Sequence, residues 1–383
     1  MTCVVITPNS PLIFRDPKPF DTGAGGAVSL PFPTPSAVAG TLRTAIVRKA
    51  NNDDFPQAMA DTVVNWKFQG PLLRVGSEVY VPAPADAYPE GGAFHRLRPV
   101  ELPGAGCNLP GGLKPVGLPL NSKAGKPEYG KACDFWKVTD LASQWLIPGG
   151  ESIDQSSIGG ISLERDRRTH VAIGGNYAGV PGMLFSTEAI DFQGKEVTTG
   201  LVVKIVDTGN TSADGLNGYT HRIGGEGRFA DFSVVDAWPT VPPTWKTTVE
   251  SATQLCMVLV TPAIYAGGWR PHWIDPQTFK GKIPGTQTEV ELVGARIPRW
   301  KPLAGWEIKR RLENGKWIEG GPKPLRRMTP AGSVYFFEKV DNTEVNPDAL
   351  WLASSMSDGD APESNGLANL KHDGFGLAVW GAW

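Results

Sequence analysis

The sequence predicts an α+β fold in which short strands outnumber helices. Three observations lead to this prediction. Short β-branched or apolar runs recur along the 383 residues, only one long segment shows helical spacing of its apolar residues, and the 46 Gly and 34 Pro imply many turns. Strands mixed with a few helices are not typical of a doubly wound sheet, and the length allows two or three domains.

The first part of the chain begins with a predicted buried strand at Cys3–Thr7, which is short, β-branched and bounded by prolines. Ser36 is a candidate N-cap for a helix over Ala37–Ala50, in which apolar residues recur at helical spacing. Strands are predicted next at Gly70–Arg74 and Glu78–Val81.

Residues 84–131 form a long stretch rich in Gly, Pro, Asn and Lys, and loops this long are usually functional or are hairpin insertions. A short helix is predicted at Phe135–Ile147. Strands are predicted at Ser162–Ile173, Met183–Asp191 and Leu201–Val206 from their alternating, β-branched and aromatic content.

A Pro- and Trp-rich segment, Trp238–Trp245, is interpreted as a linker. The apolar run Gln254–Thr261 that follows it repeats the way in which the chain begins, and this suggests a weak internal duplication. We therefore predict one module over residues 1–237, with an insertion around 84–131, and a second over 246–383. Further strands are predicted in the second module at Glu289–Arg296, Leu303–Arg310 and Ser333–Phe337.

The composition argues against several classes of protein. A formal net charge of −2 means that any contact with nucleic acid must come from local patches. The four cysteines are far apart and form no CxxC pair, so neither a zinc site nor a disulfide framework is indicated, and free thiols suit the cytoplasm. No signal peptide or apolar run long enough to span a membrane is visible.

The segment Ile223–Phe229, IGGEGRF, places Arg228 directly after three glycines. Glycines let backbone N–H groups approach a phosphate closely, and an adjacent arginine supplies charge. An ordinary glycine turn between two strands explains the spacing equally well. The segment Glu164–His170 carries three arginines, and strand geometry would make the face with Arg165 and Arg167 locally positive. The alternative is a solvated strand whose charges pair with one another.

The strongest charge signal is Arg296–Arg327, which has ten basic residues against three acidic ones and includes three tryptophans. Basic residues interleaved with aromatics suit single-stranded nucleic acid, whereas a basic face for an acidic protein partner is the alternative. By contrast, Asp341–Glu363 holds six acids and no Lys or Arg.

Signals for catalysis are weak. The five histidines lie in no metal-binding motif, and the chain has no Walker loop or GxSxG motif. His170 or His221 could act as a general base in a metal-independent RNA cleavage, with Tyr177 as a partner. An RNA-cleaving enzyme and a purely structural protein that contacts only protein therefore remain alternatives to a protein that binds RNA without cleaving it.

Eight motifs taken together resemble a known family. In chain order they are FRDPKPF (Phe14–Phe20), PTPSAVAGTLRTAI (Pro33–Ile46), ERDRRTHVAI (Glu164–Ile173), GMLFSTEAIDF (Gly182–Phe192), IGGEGRFADF (Ile223–Phe232), TPAIYAGGWRP (Thr261–Pro271), PAGSVYFFE (Pro330–Glu338) and GFGLAVWG (Gly374–Gly381). The ordered set resembles the third subunit of the Cmr complex, the type III-B CRISPR effector, in the five-prime-handle-binding group of the RAMP superfamily.

This resemblance implies two ferredoxin-like (RRM-like) modules with long insertions. It also implies a non-catalytic subunit without a cofactor that binds the repeat-derived 5′ handle of the guide crRNA in antiviral defence. The partners implied are the large polymerase/cyclase-like subunit and the first backbone RAMP subunit. The residues that lie in the matching motifs and are expected to contact RNA are Arg15, Lys18, Arg43, Arg165, Arg168, His170, Gly224, Gly225, Arg228, Trp269 and Arg270. The stretch 84–131 is a candidate for a hairpin that folds over the guide.

Overall fold

The computed structural model describes residues 2–17, 29–102, 109–122, 125–193, 197–209, 211–307, 310–311, 317–341, 343–353, 356–358 and 370–383. In the first part of the chain the strands are β1 Cys3–Pro8, β2 Lys67–Val75, β3 Glu78–Pro82, β4 Ala87–Glu90, β5 Ala93–Arg96, β6 Arg98–Pro99, β7 Val116–Gly117, β8 Phe135–Lys137, β9 Ser152–Asp154, β10 Gly160–Ile161, β11 Glu164–Ile173, β12 Gly179–Asp191, β13 Thr199–Asp207, β14 Tyr219–Arg222 and β15 Phe229–Val235.

In the second part they are β16 Gln254–Leu259, β17 Lys280–Lys282, β18 Glu289–Arg296, β19 Lys301–Leu303, β20 Trp306–Glu307, β21 Arg310–Arg311, β22 Trp317–Ile318, β23 Gly321–Pro322, β24 Arg326–Met328, β25 Val334–Lys339 and β26 Ala378–Ala382. The α-helices are α1 Pro35–Ala50, α2 Ala60–Val63, α3 Val138–Asp140, α4 Pro243–Ser251 and α5 Leu370–Asp373. A π-helical turn spans Leu141–Trp145, and 3₁₀ turns lie at Gln57–Met59, Pro110–Gly112, Tyr129–Lys131, Gln155–Ser157, Asp214–Leu216 and Pro347–Ala349.

Two antiparallel sheets organise these strands. The larger has the order β10-β8-β3-β2-β13-β1-β15-β14, and the smaller has the order β17-β18-β25-β16-β26. In the larger sheet β1 lies between β13 and β15, and in the smaller sheet β16 lies between β25 and β26. In both sheets the strand that comes first in the sequence is therefore an inner strand. The α+β class is therefore confirmed.

The prediction of two ferredoxin-like modules is not confirmed. The strand orders β15-β1-β13-β2 and β26-β16-β25-β18 are alike. However, α1 is the only helix of more than one or two turns that joins strands within either sheet, among the residues that the structure describes. The proposed boundaries at 237 and 246 also stay a prediction, since one hydrophobic core includes residues of both sheets.

Strand β1 is buried on both faces, which explains its continuous apolar sequence. Val4 and Ile6 pack in a core with α1, whereas Cys3 and Val5 pack in the core that also holds residues of β16 and β25. Because successive strand residues point to opposite faces, one strand contributes to two layers. The larger sheet is thus sandwiched between α1 and the smaller sheet.

Helix α1 begins two residues earlier than the sequence predicts. The side chain of Thr34, not that of Ser36, accepts a hydrogen bond from the Ala37 amide at 3.4 Å. Pro35 then occupies the first turn, where its missing N–H costs nothing and its fixed φ suits the helix. The helix buries Val38, Leu42 and Ile46 among others, as the helical spacing predicts.

Several predicted elements differ from the observed ones. The helix predicted at Phe135–Ile147 begins instead as strand β8, because Phe135 and Trp136 pair with β3. Only the later part of the segment is helical, as α3 and the π-helical turn that follows it. The linker predicted at Trp238–Trp245 runs into α4. There Pro243 starts a helix whose Trp245 is fully buried and donates to the Trp380 carbonyl at 2.7 Å. The strand predicted at Leu303–Arg310 is divided into β19, β20 and part of β21.

The described parts of the 84–131 stretch are an ordered insertion rather than an open loop. Strands β4 and β5 form a hairpin, to which β9 adds, and β6 pairs with β7. Beneath them Asp86 is 1% exposed, accepts a hydrogen bond from the Trp145 Nε1 at 3.0 Å, and lies 3.4 Å from Arg98 Nη1. Burial raises the pKa of the Asp86 carboxyl. The stretch therefore packs on the body of the protein.

Candidate nucleic-acid interface

The glycine-rich loop is the turn of the β14–β15 hairpin. The Ile223 amide donates to the Arg228 carbonyl at 2.9 Å, and Gly224, Glu226 and Gly227 all have φ between 58° and 69°. The sequence alternative of a glycine turn between strands therefore describes its backbone.

This loop packs directly against the segment that leads to Arg15. The Gly225 amide donates to the Ile13 carbonyl at 2.8 Å, and a Cβ placed on Gly224 would lie 2.8 Å from that same carbonyl oxygen. Glycine at 224 is thus required by both its positive φ and this close approach. The contact brings two separately predicted motifs, FRDPKPF and IGGEGRF, to one place; Lys18, of the first, lies outside the described residues.

Arg228 is held loosely within this loop. Its side chain is 24% exposed, and its Nη2 lies 3.6 Å from a Glu226 carboxylate oxygen, which is beyond hydrogen-bond distance. The buried Nε of Arg228 has no hydrogen-bond partner in the part of the chain that the structure describes. A buried donor without a partner is costly, so Arg228 is not fully satisfied by the protein alone.

Strands β11 and β12 form a two-stranded hairpin separate from both sheets. Its arginines are paired: Arg167 Nε is 2.8 Å from a Glu188 oxygen, and Arg168 Nη2 is 2.7 Å from an Asp166 oxygen. Glu188 also lies 3.9 Å from Arg165, on the face expected to be positive. One cross-strand carboxylate thus opposes two arginines and offsets part of the positive charge of that face.

His170 lies in the same hairpin, where its ring stacks on Phe185 at 4.9 Å between centroids and its Nε2 is 2.8 Å from the Thr187 Oγ1. His221 lies on β14 and stacks instead on Tyr219 at 5.8 Å. Burial, followed by the nearby Arg48 and Arg222, lowers the pKa of His221.

The outer part of the β11–β12 hairpin exposes apolar side chains, which the sequence reasoning did not single out. Tyr177 is 92% exposed, Leu184 64% and Ile173 60%. The signal available in the sequence was the glycine pair Gly174–Gly175, which turns the chain between two apolar stretches.

A crevice of about 300 Å³ lies where the two sheets meet, and we call it the inter-sheet crevice. Its cationic lining residues are Arg165 and Lys301, and the start of α1 at Pro33–Pro35 forms one wall. This helix end offers few donors to an anion, because Pro35 has no N–H and the Ala37 and Val38 amides already donate to Thr34. The remaining lining residues are Leu30, Pro31, Phe32, Pro71, Pro82, Asp134, Phe135, Leu163, Val260, Thr261, Pro262, Met328, Pro330 and Ala331.

Arg43 does not lie on an open surface, contrary to the expectation for an RNA contact. Its Nη1 is 2.5 Å from an Asp373 oxygen, its Nη2 donates to the Trp66 carbonyl at 2.8 Å, and its guanidinium lies over the Phe68 ring. The Arg43 side chain is 11% exposed and that of Asp373 4%. This arginine ties α1 to α5 across the length of the chain.

Trp269 and Arg270 lie in the loop after β16. The Trp269 carbonyl accepts from the Tyr335 hydroxyl at 2.6 Å, its side chain is 37% exposed, and Arg270 Nη1 donates to the Pro271 carbonyl. Within the described residues, no hydrogen bond or ion pair joins this pair to the glycine loop or to the β11–β12 hairpin. The structure thus packs Ile13, two residues before Arg15, against Gly224 and Gly225, and places Trp269 and Arg270 in a loop that follows a strand of the other sheet.

Nothing in the described ranges forms a group of three or more His, Cys, Asp or Glu side chains that could hold a metal. No helix in those ranges combines the length and apolar character needed to cross a membrane.

The known structures that this chain resembles distantly include three from CRISPR complexes. The type III-B Cmr-beta complex bound to cognate target RNA and AMPPnP contains a chain 15% identical over 87% of this chain and 86% of that chain, with a TM-score of 0.47. The same complex bound to cognate target RNA contains a chain that is 15% identical over 88% of this chain and 86% of that chain, with a TM-score of 0.44. The Csm3–Csm4 subcomplex of a type III-A CRISPR-Cas interference complex contains a chain that is 12% identical over 91% of this chain and 96% of that chain, with a TM-score of 0.36.

Likenesses as distant as these do not identify ligands or partners of this chain. No curated protein sequence matches it significantly. The sequence does match the family described as CRISPR-associated protein (Cas_Cmr3) over residues 4–383. Because that match runs over nearly the whole chain, the protein belongs to the Cas_Cmr3 family of CRISPR-associated proteins.

Proposed function

We propose that this chain is a non-catalytic subunit of a type III-B CRISPR effector that holds the repeat-derived 5′ handle of the guide crRNA. The observation that carries the proposal is the inter-sheet crevice, where the two cations Arg165 and Lys301 and one carboxylate, Asp134, lie among mainly apolar residues. A volume of about 300 Å³ is at the lower end for small-ligand sites and suits a nucleotide or two.

The chemistry of this surface fits single-stranded RNA rather than a duplex. Proline and phenylalanine walls can pack against an unstacked base, while the two cations contact phosphate. Arg228, in the glycine loop that packs on the segment before Arg15, would supply a further phosphate contact. In this proposal the large polymerase/cyclase-like subunit and the first backbone RAMP subunit bind to other faces of the chain.

The test is fluorescence anisotropy of a labelled RNA that carries the repeat-derived handle. Arg165→Gln should weaken binding by about tenfold or more, because a hydrogen bond to a charged group contributes about 1.5–3 kcal/mol. Arg228→Ala and Arg168→Ala should also weaken it, the latter less, since Arg168 is already paired with Asp166. Lys246→Ala, which removes an exposed charge paired with Asp348, is the control and should bind normally.

Wild-type affinity in all three arginine variants, together with a normal thermal melt, would contradict the proposal. The non-catalytic part is tested separately by incubating the purified protein with repeat RNA in EDTA. A specific cut that disappears in His170→Ala or His221→Ala would show a metal-independent endoribonuclease instead.

A further inference from the structure

The most basic feature of the sequence forms a β-hairpin beside the inter-sheet crevice. Strands β19, β20 and β21 pair in turn with β24, β23 and β22. We call this hairpin, with the preceding residues from Arg296, the basic arm. Its base is fixed to the body because Leu303 and Met328 are buried in a small core with Phe375.

Several cations at the base of this arm have no carboxylate partner in the part of the chain that the structure describes. Among the described residues no carboxylate lies within ion-pair distance of five of them, namely Arg296, Arg299, Lys301, Arg326 and Arg327. The contrast with the β11–β12 hairpin is direct, since Arg167 and Arg168 there each have a carboxylate within 2.8 Å. Uncompensated clusters of cations attract polyanions and raise the rate at which these bind.

Aromatic side chains accompany these cations on the outward side. Trp300 is 45% exposed and Trp306 68%. The guanidinium of Arg327 lies 5.0 Å from the centre of the Trp300 ring, a cation–π contact that favours this orientation of the indole. A half-exposed indole beside cations is a surface on which a nucleic-acid base can stack.

The basic arm is continuous with the crevice. Lys301 and Met328, which pair with each other at the base of the arm, also line the crevice together with Arg165. An RNA strand that leaves the crevice past Lys301 would therefore meet Trp300 and Arg327 next. This continuity favours RNA over an acidic protein surface as the occupant of the arm.

We infer that the basic arm is a second RNA-binding surface, which contacts the phosphates and stacks a base of the single-stranded segment adjoining the one held in the crevice. The inference rests on the proposed function, because it extends the path of the same RNA. It assigns to Arg299, Lys301 and Arg327 the phosphate contacts and to Trp300 the stacking.

Two labelled uridine oligomers test it by anisotropy with the full chain, one of about 6 and one of about 16 nucleotides, since sites for single strands span about 4–16 nucleotides. The variant is Arg299→Gln/Lys301→Gln/Arg327→Gln, in which glutamine keeps much of each side chain. The matched control, Lys67→Gln/Lys131→Gln/Lys246→Gln, removes three exposed charges elsewhere, each paired with a carboxylate.

We expect the longer RNA to bind the wild type with a steeper dependence on salt than the shorter one. The arm variant should reduce that slope by about 2 for the longer RNA, since each phosphate contact on a single strand contributes about 0.7. Its affinity for the shorter RNA should change little, and the control variant should retain the wild-type slope. Trp300→Ala should weaken binding of the longer RNA about tenfold, because the stacking contact is lost.

An arm variant with wild-type affinity and slope for the longer RNA would overturn the inference. If Arg165→Gln still weakens both RNAs in that case, the proposed function stands and only the arm is wrongly assigned. If the wild type binds polyglutamate and the arm variant does not, while the arm variant binds RNA normally, the arm is a contact for an acidic protein. If the wild type binds neither uridine oligomer, the inference fails, and the handle-bearing RNA then tests the proposed function by itself.

Discussion

Replacing Arg43 by methionine should destabilise the protein rather than act mainly on RNA binding. The substitution removes the guanidinium but keeps a long apolar side chain over Phe68, so most of the packing remains. It leaves the Asp373 carboxylate, whose side chain is 4% exposed, without its partner at 2.5 Å. Breaking a buried ion pair from one side typically costs about 3–5 kcal/mol.

The pH dependence of this loss can be worked out from Asp373. Burial raises the pKa of its carboxyl, and the Arg43 guanidinium opposes that rise. Without Arg43 the pKa of folded Asp373 rises further above its value in the unfolded chain. The folded state then binds the proton more tightly, so the variant is relatively stabilised at low pH and loses that stability as pH rises through the folded pKa. The difference from the wild type should therefore be smaller at acidic than at neutral pH.

Urea unfolding followed by tryptophan fluorescence measures the effect, with handle RNA binding measured in parallel. The double variant Arg43→Met/Asp373→Leu should recover most of the lost stability, because an apolar pair can replace a buried ion pair at little cost. An Arg43→Met protein that unfolds like the wild type but binds RNA poorly would refute this reasoning. It would show that Arg43 is available to RNA.

Two further outcomes follow from the hairpin of the glycine loop. Gly224→Ala should lower the free energy of unfolding more than Gly227→Ala does. Both glycines have positive φ, but only at 224 would the new Cβ lie 2.8 Å from the Ile13 carbonyl oxygen. Thermal melts of the two variants measure the difference, and equal losses of stability would refute the close contact. The lowered pKa of His221 means that the unfolded chain takes up a proton before the folded one does. Stability should therefore fall as pH drops from about 7 through the unfolded value near 6.5 to the folded pKa, and His221→Gln should flatten that part of the profile, which urea midpoints at several pH values would measure.

Local pattern was sufficient for elements whose burial follows from their own periodicity. Strand β1 and helix α1 agree with the sequence to within one or two residues, and β18 agrees at both ends, because each presents a regular apolar face to the core. The same reasoning failed at Phe135–Lys137, where an apolar run is compatible with a helix or a strand. Pairing with β3, which is more than fifty residues earlier in the chain, decides between them.

The candidate site shows the same division. The sequence could indicate that Arg165, Arg167 and Arg168 share a strand, but it could not indicate that Glu188 on the next strand lies beside two of them. It located the basic stretch after Arg296 from composition alone. That the cations there lack carboxylate partners within the described residues depends on which distant segments pack nearby.

The sequence by itself determined the α+β class, the resemblance to a CRISPR effector subunit through an ordered set of motifs, and the positions of its basic segments. These properties depend on residue type and short-range spacing. The tertiary structure alone decided that Arg43 is buried against Asp373, that the glycine loop packs on the segment before Arg15, and that Arg165 and Lys301 line one crevice. Each of these facts joins residues that are between about one hundred and more than three hundred positions apart, and the free energy of a charge depends on the neighbours that such contacts bring to it.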